Sequence, residues 1–148
     1  MQARQIAIYP GDGIGREVIE QAVRVLGVAQ AELGDFELQL TELPWGGDYY
    51  QEHGSVVPAD FLDQLRQYSA ILLGAVGDPD RLPDSLTLEP LVQIRQQFDQ
   101  YICLRPARLP QGVPSPLAEP GEIDMLVLRE NSEGEYVRCG GRAKQGSP

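Results

Sequence analysis

The stretch QIAIYPGDGIGREVIEQAVRVL, residues 5–26, joins an apolar run to an amphipathic helix through a tight cluster of three glycines. That junction restricts the fold more than any other feature of the chain. QIAIY (5–9) reads as a buried strand, and over 16–30 the residues Val18, Ile19, Ala22, Val23, Leu26 and Ala29 recur at helical spacing. FELQLTEL (36–43) then alternates, with Phe36, Leu38 and Leu40 facing one way and Glu37, Gln39 and Thr41 the other, which predicts a strand with one wet face. Pro58 opens a helix carrying Phe61, Leu62, Leu65 and Tyr68 on one stripe. AILLGAV (70–76) is a continuous apolar strand of the kind that sits centrally in a parallel sheet. Strand, helix, strand, helix, strand in this order implies right-handed crossovers, and so a layered α/β domain. A loop rich in Pro and Asp (77–86), a helix over about 87–100, and two more strands, YICLRP and IDMLVLRE, complete the pattern, with a Pro-rich loop (106–121) between the strands.

Composition narrows the partners. A net charge of −10 repels nucleic acid and anionic membranes alike, yet leaves room for a small anion held by a local group of arginines. Cys103 and Cys139 are isolated and His53 is the single histidine, so no zinc ligand set is present. The longest apolar run, 70–76, is far short of a membrane span, and the N-terminus has no signal-like pattern. Two unpaired cysteines fit a reducing compartment, so a soluble cytoplasmic protein with no membrane or nucleic-acid partner is expected.

Gly11, Gly13 and Gly15 give G-x-G-x-G, one residue tighter than the dinucleotide fingerprint, and Asp12 stands where a pyrophosphate would arrive. Glu42, near the end of the second strand, is positioned like a ribose-binding acid. The spacing nonetheless fits a glycine-permitted turn better than a phosphate cradle. The arginines point elsewhere. Leu91, Ile94, Phe98 and Tyr101 form the core stripe of the helix expected over about 87–100, while Leu88, Val92, Arg95 and Asp99 form a neighbouring stripe. Arg105 and Arg129 each follow an apolar run, ICLR and MLVLR, and read as strand-end residues of the kind that bind ligands in open α/β sheets. Three converging guanidinium groups would hold a dicarboxylate through bidentate bonds. Tyr136, seven residues past Arg129, is a candidate proton donor; Glu130, Glu133 and Glu135 in the same loop read as solvated.

IAIYPGDGIGREVI, LPWGGDYY, ILLGAVGDP, IRQQFDQYICLRPARL and VLRENSEGEY, in that order and spacing, together resemble the N-terminal part of the β-decarboxylating dehydrogenases: the isopropylmalate, isocitrate and tartrate/D-malate enzymes. LPWGGDYY and FDQYICLRP look most like the tartrate/D-malate branch. The resemblance implies an α/β fold, a layered sandwich of the isopropylmalate dehydrogenase-like type. It implies NAD taking hydride from C2 of a 2-hydroxy acid, Mg²⁺ or Mn²⁺ polarising the ketone, and loss of the β-carboxylate as CO₂. It further implies that Arg95, Arg105 and Arg129 bind the substrate carboxylates, that Tyr136 gives a proton to the enol, and that Gly74, Ala75, Val76 and Gly77 lie near the nicotinamide. Leu88, Leu91 and Val92 fall where the family reads the substrate side chain.

The family's catalytic lysine, metal-binding aspartates and adenosine-binding segment are expected beyond Pro148, and family members are homodimers. The fold is therefore expected to be incomplete here: residues 1–100 as the N-terminal part of a large α/β domain and 101–148 as the start of a smaller dimerising one. On this expectation the chain alone is inactive. Two alternatives remain at this level, a non-catalytic subunit or remnant that binds a full-length relative, and a plain dinucleotide-binding module using Gly11 to Gly15.

Overall fold

The computed structural model describes residues 3–137 and 139, with the Glu135 side chain left aside. The chain divides after Gln93 into two compact units. In the first, β1 (Ala3–Gly11) leads into α1 (Ile14–Leu33), β2 (Glu37–Glu42), α2 (Gly47–His53), α3 (Phe61–Leu65) and β3 (Ala70–Ala75). The strands form a parallel sheet in the order β2-β1-β3, so β1 is hydrogen-bonded on both sides.

Burial follows from that placement. Ala7, Ile8 and Tyr9 of β1 are buried together with Ile19 of α1, Phe61 and Leu65 of α3, and Leu43, Trp45 and Val56 of the connections. The Trp45 ring meets Tyr9 edge-on at 5.4 Å and Phe61 at 6.1 Å, a geometry worth about 0.5–1.5 kcal/mol per pair beyond the area buried.

Two glycines let α1 press onto β3. A Cβ on Gly15 would stand 2.3 Å from the Pro10 carbonyl oxygen and 2.5 Å from Ala75 N; one on Gly74 would stand 2.3 Å from the same oxygen. No side chain fits in either place. The helix ends at Gly34, left-handed at φ 66°, whose N–H donates to the Gln30 carbonyl.

The boundary between the units falls within α4 (Asp84–Gln97). The second unit holds β4 (Ile102–Arg108) and β5 (Asp124–Glu130), an antiparallel pair in which Cys103 faces Arg129 and Arg105 faces Val127. A single 3-10 turn, Gly134–Tyr136, follows. Apart from Cys139, the tail after Val137 lies outside the described residues.

Several expectations are corrected. AILLGAV does form a strand, but β3 bonds only to β1 and is an edge among the described residues. α1 covers only part of it: Ile71, Leu72, Gly74 and Ala75 are half-buried and Leu73 is exposed. β2 has no clean buried face: Leu38 is half-buried and Leu40 is exposed. The helix expected from Pro58 begins only at Phe61, with the Phe61 N–H turned onto the Pro58 carbonyl, and spans five residues. α4 starts three residues earlier than its apolar spacing suggests, and it carries Pro90 inside. α2 was not foreseen, since GDYYQEH is too short and polar to show a stripe.

Candidate functional site

Two guanidinium groups lie over the ring of Tyr136. The Arg95 carbon Cζ lies 5.6 Å from the ring centroid and that of Arg129 lies 5.3 Å from it, both within cation–π range. Arg95 comes from the last turn of α4, Arg129 from β5, and Tyr136 from the 3-10 turn. The strand register brings in Arg105. Residues directly opposite in an antiparallel pair share a face, so Arg105 lies on the face that carries Arg129, diagonally across from it. Such diagonal neighbours are about 7–8 Å apart, within reach of two long side chains. Arg105 is exposed and makes no ion pair among the described residues, while Arg95 and Arg129 are half-buried.

The strand-end reading of Arg105 does not hold. β4 continues to Arg108, so Arg105 sits in mid-strand of an antiparallel ribbon, and its reach toward Arg129 comes from register.

The loop bearing Tyr136 is pinned from two sides. The Gln96 amide Nε2 donates to the Ser132 carbonyl at 3.1 Å and to the Tyr136 carbonyl at 3.2 Å. Glu130 is not merely solvated: its Oε1 accepts the Ser132 N–H (2.8 Å), the Ser132 hydroxyl (3.0 Å) and the Glu133 N–H (2.9 Å). Those bonds, the Ser132 amide first, hold its carboxyl below the usual range. Sequence reasoning missed Gln96 and this use of Glu130, because bonds to backbone groups leave no spacing pattern.

At the carboxyl ends of the parallel strands, Asp12 explains the glycine cluster. Its side chain is 1% exposed; Oδ1 accepts the Gly47 N–H at 2.7 Å and Oδ2 the Gly77 N–H at 3.0 Å. A Cβ on Gly46 would come within 2.7 Å of Oδ1. The Asp12 N–H is spent on the Ala75 carbonyl and the Gly15 N–H on that of Asp12. The turn is thus closed on itself around an inward carboxylate, which leaves no cradle for a pyrophosphate.

A second carboxylate ties the same three segments from outside. Asp48 accepts from Arg16 at 2.5 Å and from Arg81 at 2.8 Å, and Arg81 also donates to Asp78 at 2.5 Å. Arg81 and then Arg16 hold the Asp48 carboxyl below its ordinary value. Arg81 does the same to Asp78.

The remaining expected residues lie as follows. Gly74 and Ala75 belong to β3, with Gly74 packed under α1. Val76 and Gly77 begin the loop after it; Gly77 has φ 134°, and its N–H is committed to Asp12. This loop can offer a cofactor surface but no amide at Gly77. Leu88, exposed, and the half-buried Leu91 and Val92 lie on the part of α4 within the first unit. For a divalent metal the fit fails: among the described residues no three His, Cys, Asp or Glu side chains form a group that could hold one.

The model of the isocitrate/isopropylmalate dehydrogenase family matches residues 5–147. D-malate dehydrogenase [decarboxylating] of Escherichia coli is 48% identical across 99% of the chain, and a probable tartrate dehydrogenase/decarboxylase of Bacillus subtilis is 44% identical across 99%. The chain spans 42% of the length of each. Among solved structures, isocitrate dehydrogenase from Methylococcus capsulatus matches with a TM-score of 0.70 at 26% identity, over 90% of this chain and 36% of that one. A beta-decarboxylating dehydrogenase from Thermococcus kodakarensis, in its apo form, matches with a TM-score of 0.59 at 33% identity, over 88% and 35%. The motifs, the glycine-closed α/β sheet and these matches agree, and the chain belongs to the isocitrate/isopropylmalate dehydrogenase family.

Proposed function

We propose that this chain carries the substrate-gripping part of an NAD- and divalent-metal-dependent oxidoreductase that oxidises and decarboxylates a 2-hydroxy dicarboxylic acid such as D-malate, tartrate or 3-isopropylmalate. The observation that carries this reading is the pair of guanidinium groups over the ring of Tyr136, with Arg105 on the same ribbon face as Arg129. Guanidinium groups gathered at one place offer paired, charge-assisted bonds to the carboxylates of a small dicarboxylic acid. The names of the relatives, which speak of D-malate and tartrate, point to the same class of acid.

In this mechanism Arg95, Arg105 and Arg129 orient the two carboxylates, and Leu88, Leu91 and Val92 are the residues that read the substituent. NAD, when bound against the Gly74–Gly77 segment, supplies a hydride acceptor for C2. After CO₂ has left, the Tyr136 phenol gives its proton to the carbon that lost the carboxylate, and solvent restores the phenol. The two arginines lower the cost of the transient phenolate. Mg²⁺ or Mn²⁺ remains the family's metal, and since its ligands are not among the described residues no step here is routed through it. Residues 1–100 then begin the large domain and 101–148 the small dimerising one of a cytoplasmic homodimer.

Titration calorimetry of the 148-residue chain tests this reading. Meso- or D-tartrate is expected to bind and D-lactate, with one carboxylate, to bind at least about tenfold more weakly, since each charge-assisted pair is worth about 1.5–3 kcal/mol. Equal affinity for the two acids would remove the basis of the proposal.

A further inference from the structure

Among the described residues of the second unit, Ile94 and Asn131 are the ones that are buried. An asparagine in such a place needs a reason, because burying an amide costs free energy unless it is hydrogen-bonded. Asn131 is 6% exposed, and only part of its side chain is satisfied. Its Nδ2 donates to the Gln100 carbonyl at 3.4 Å, while Oδ1 is buried with no partner among the described residues. A leucine of similar size would pack there without an orphaned acceptor. What the asparagine adds is its donor.

We propose that Asn131 is the positioning residue of the arginine–tyrosine cluster: its amide ties the turn that ends α4 to the end of β5, and so fixes Arg95 against the Tyr136 ring that Arg129 also meets.

The turn is one that needs tying. α4 ends at Gln97; beyond it the Gln100 N–H donates to the Arg95 carbonyl at 2.8 Å and the Asp99 N–H to that of Gln96 at 3.3 Å. This pair of bonds closes a helix through a left-handed residue, which is usually glycine. Here it is Asp99, at φ 52°, the one residue other than glycine with a positive φ among the described residues. A side chain in that region is strained and keeps its place only where the surroundings hold it. Asn131 supplies the hold through the carbonyl of the next residue, Gln100. It lies directly after β5 and two residues past Arg129, so a single amide joins the cap on Arg95 to the strand that carries Arg129. The exposed Gln96 pins the Tyr136 loop from the helix side, and Asn131 makes the return contact, sheltered from competing water.

The consequence for a dicarboxylate rests on the function proposed above, whereas the geometry does not; NMR of the ¹⁵N-arginine-labelled 148-residue chain reads both. Arg95 and Arg129 lie over the Tyr136 ring, so their Hε signals are expected upfield, by an amount that Tyr136→Leu measures. In Asn131→Leu, Arg95 is expected to lose most of that displacement and Arg129 to keep its own. The urea midpoint should change little, because the donor and the orphaned acceptor leave together. Tartrate affinity is expected to fall about tenfold, as for the loss of one charge-assisted pair. Asn131→Ala, measured beside it, should behave alike at the arginines, with circular dichroism verifying that each variant folds. In the unaltered chain, the Asn131 Nδ2 protons are expected to exchange with solvent at least about tenfold more slowly than those of the exposed Gln97; this needs no substitution and decides the matter where neither variant folds. Absence of the upfield displacement in the unaltered chain, an Arg95 signal unmoved in a folded variant, equal loss by both arginines, or Asn131 protons exchanging as fast as those of Gln97 would each overturn the assignment. If the unaltered chain binds no tartrate, the proposed function fails and the ring displacements still decide the role of Asn131.

Discussion

Tyr9 shows what a single buried polar atom does to this protein. Its ring completes the aromatic stack with Trp45, but its hydroxyl is buried with no partner among the described residues. Burial first, and the nearby charge of Asp12 second, push its ionisation upward from 10.0. Tyr9→Phe keeps the ring and deletes the orphaned hydroxyl, so it is expected to leave stability unchanged or raise it by about 1 kcal/mol in urea denaturation. The sign with pH is definite. A raised folded value stabilises the native state below the unfolded value and is lost as pH climbs above about 10, where only the unfolded tyrosine readily ionises. Alkaline unfolding should therefore set in later for Tyr9→Phe than for the parent chain. At the candidate site, Gln96→Glu replaces the donor that pins the Ser132 and Tyr136 carbonyls with an acceptor. Tartrate affinity should fall severalfold while thermal stability changes little, because the side chain is exposed.

Among the elements, the β1–α1 junction decides most. Gly15→Ala or Gly74→Ala places a methyl about where backbone atoms already stand, and each is expected to destabilise the chain by about 3 kcal/mol or more in chemical denaturation. Asp12→Ala strands the Gly47 and Gly77 amides in a buried setting, with a comparable loss expected. The order of strands and helices was legible because QIAIY, the 16–30 stripe and AILLGAV are long and strongly patterned. The place of β3 was not, since an apolar run reads the same whether it is buried by neighbouring strands or by a helix. Asp12 could be seen to disfavour a phosphate loop; its role as a staple depends on Gly47 and Gly77, which no local pattern connects to it. Arg105 was singled out for the wrong reason, strand-end position, while register with β5 supplies its actual relation to Arg129.

In the first unit, acids and bases meet at the carboxyl ends of the parallel strands. The Arg16–Asp48–Arg81–Asp78 chain links the start of α1, the start of α2 and the loop after β3. Its carboxyls have depressed values, so their contribution is present at neutral pH and vanishes as pH falls through and below the ordinary 3.8. Hydrogen exchange of the Gly77 segment should accelerate in that acid window, and Asp48→Asn should show the faster exchange already at pH 7. Central to the proposed function is that three arginines serve one guest. NMR of the ¹⁵N-arginine-labelled chain during a tartrate titration tests that most directly. The Nε signals of Arg95, Arg105 and Arg129 are expected to shift together along one binding curve while those of Arg16 and Arg81 stay fixed. Separate curves for the three, or movement confined to Arg16 and Arg81, would contradict it.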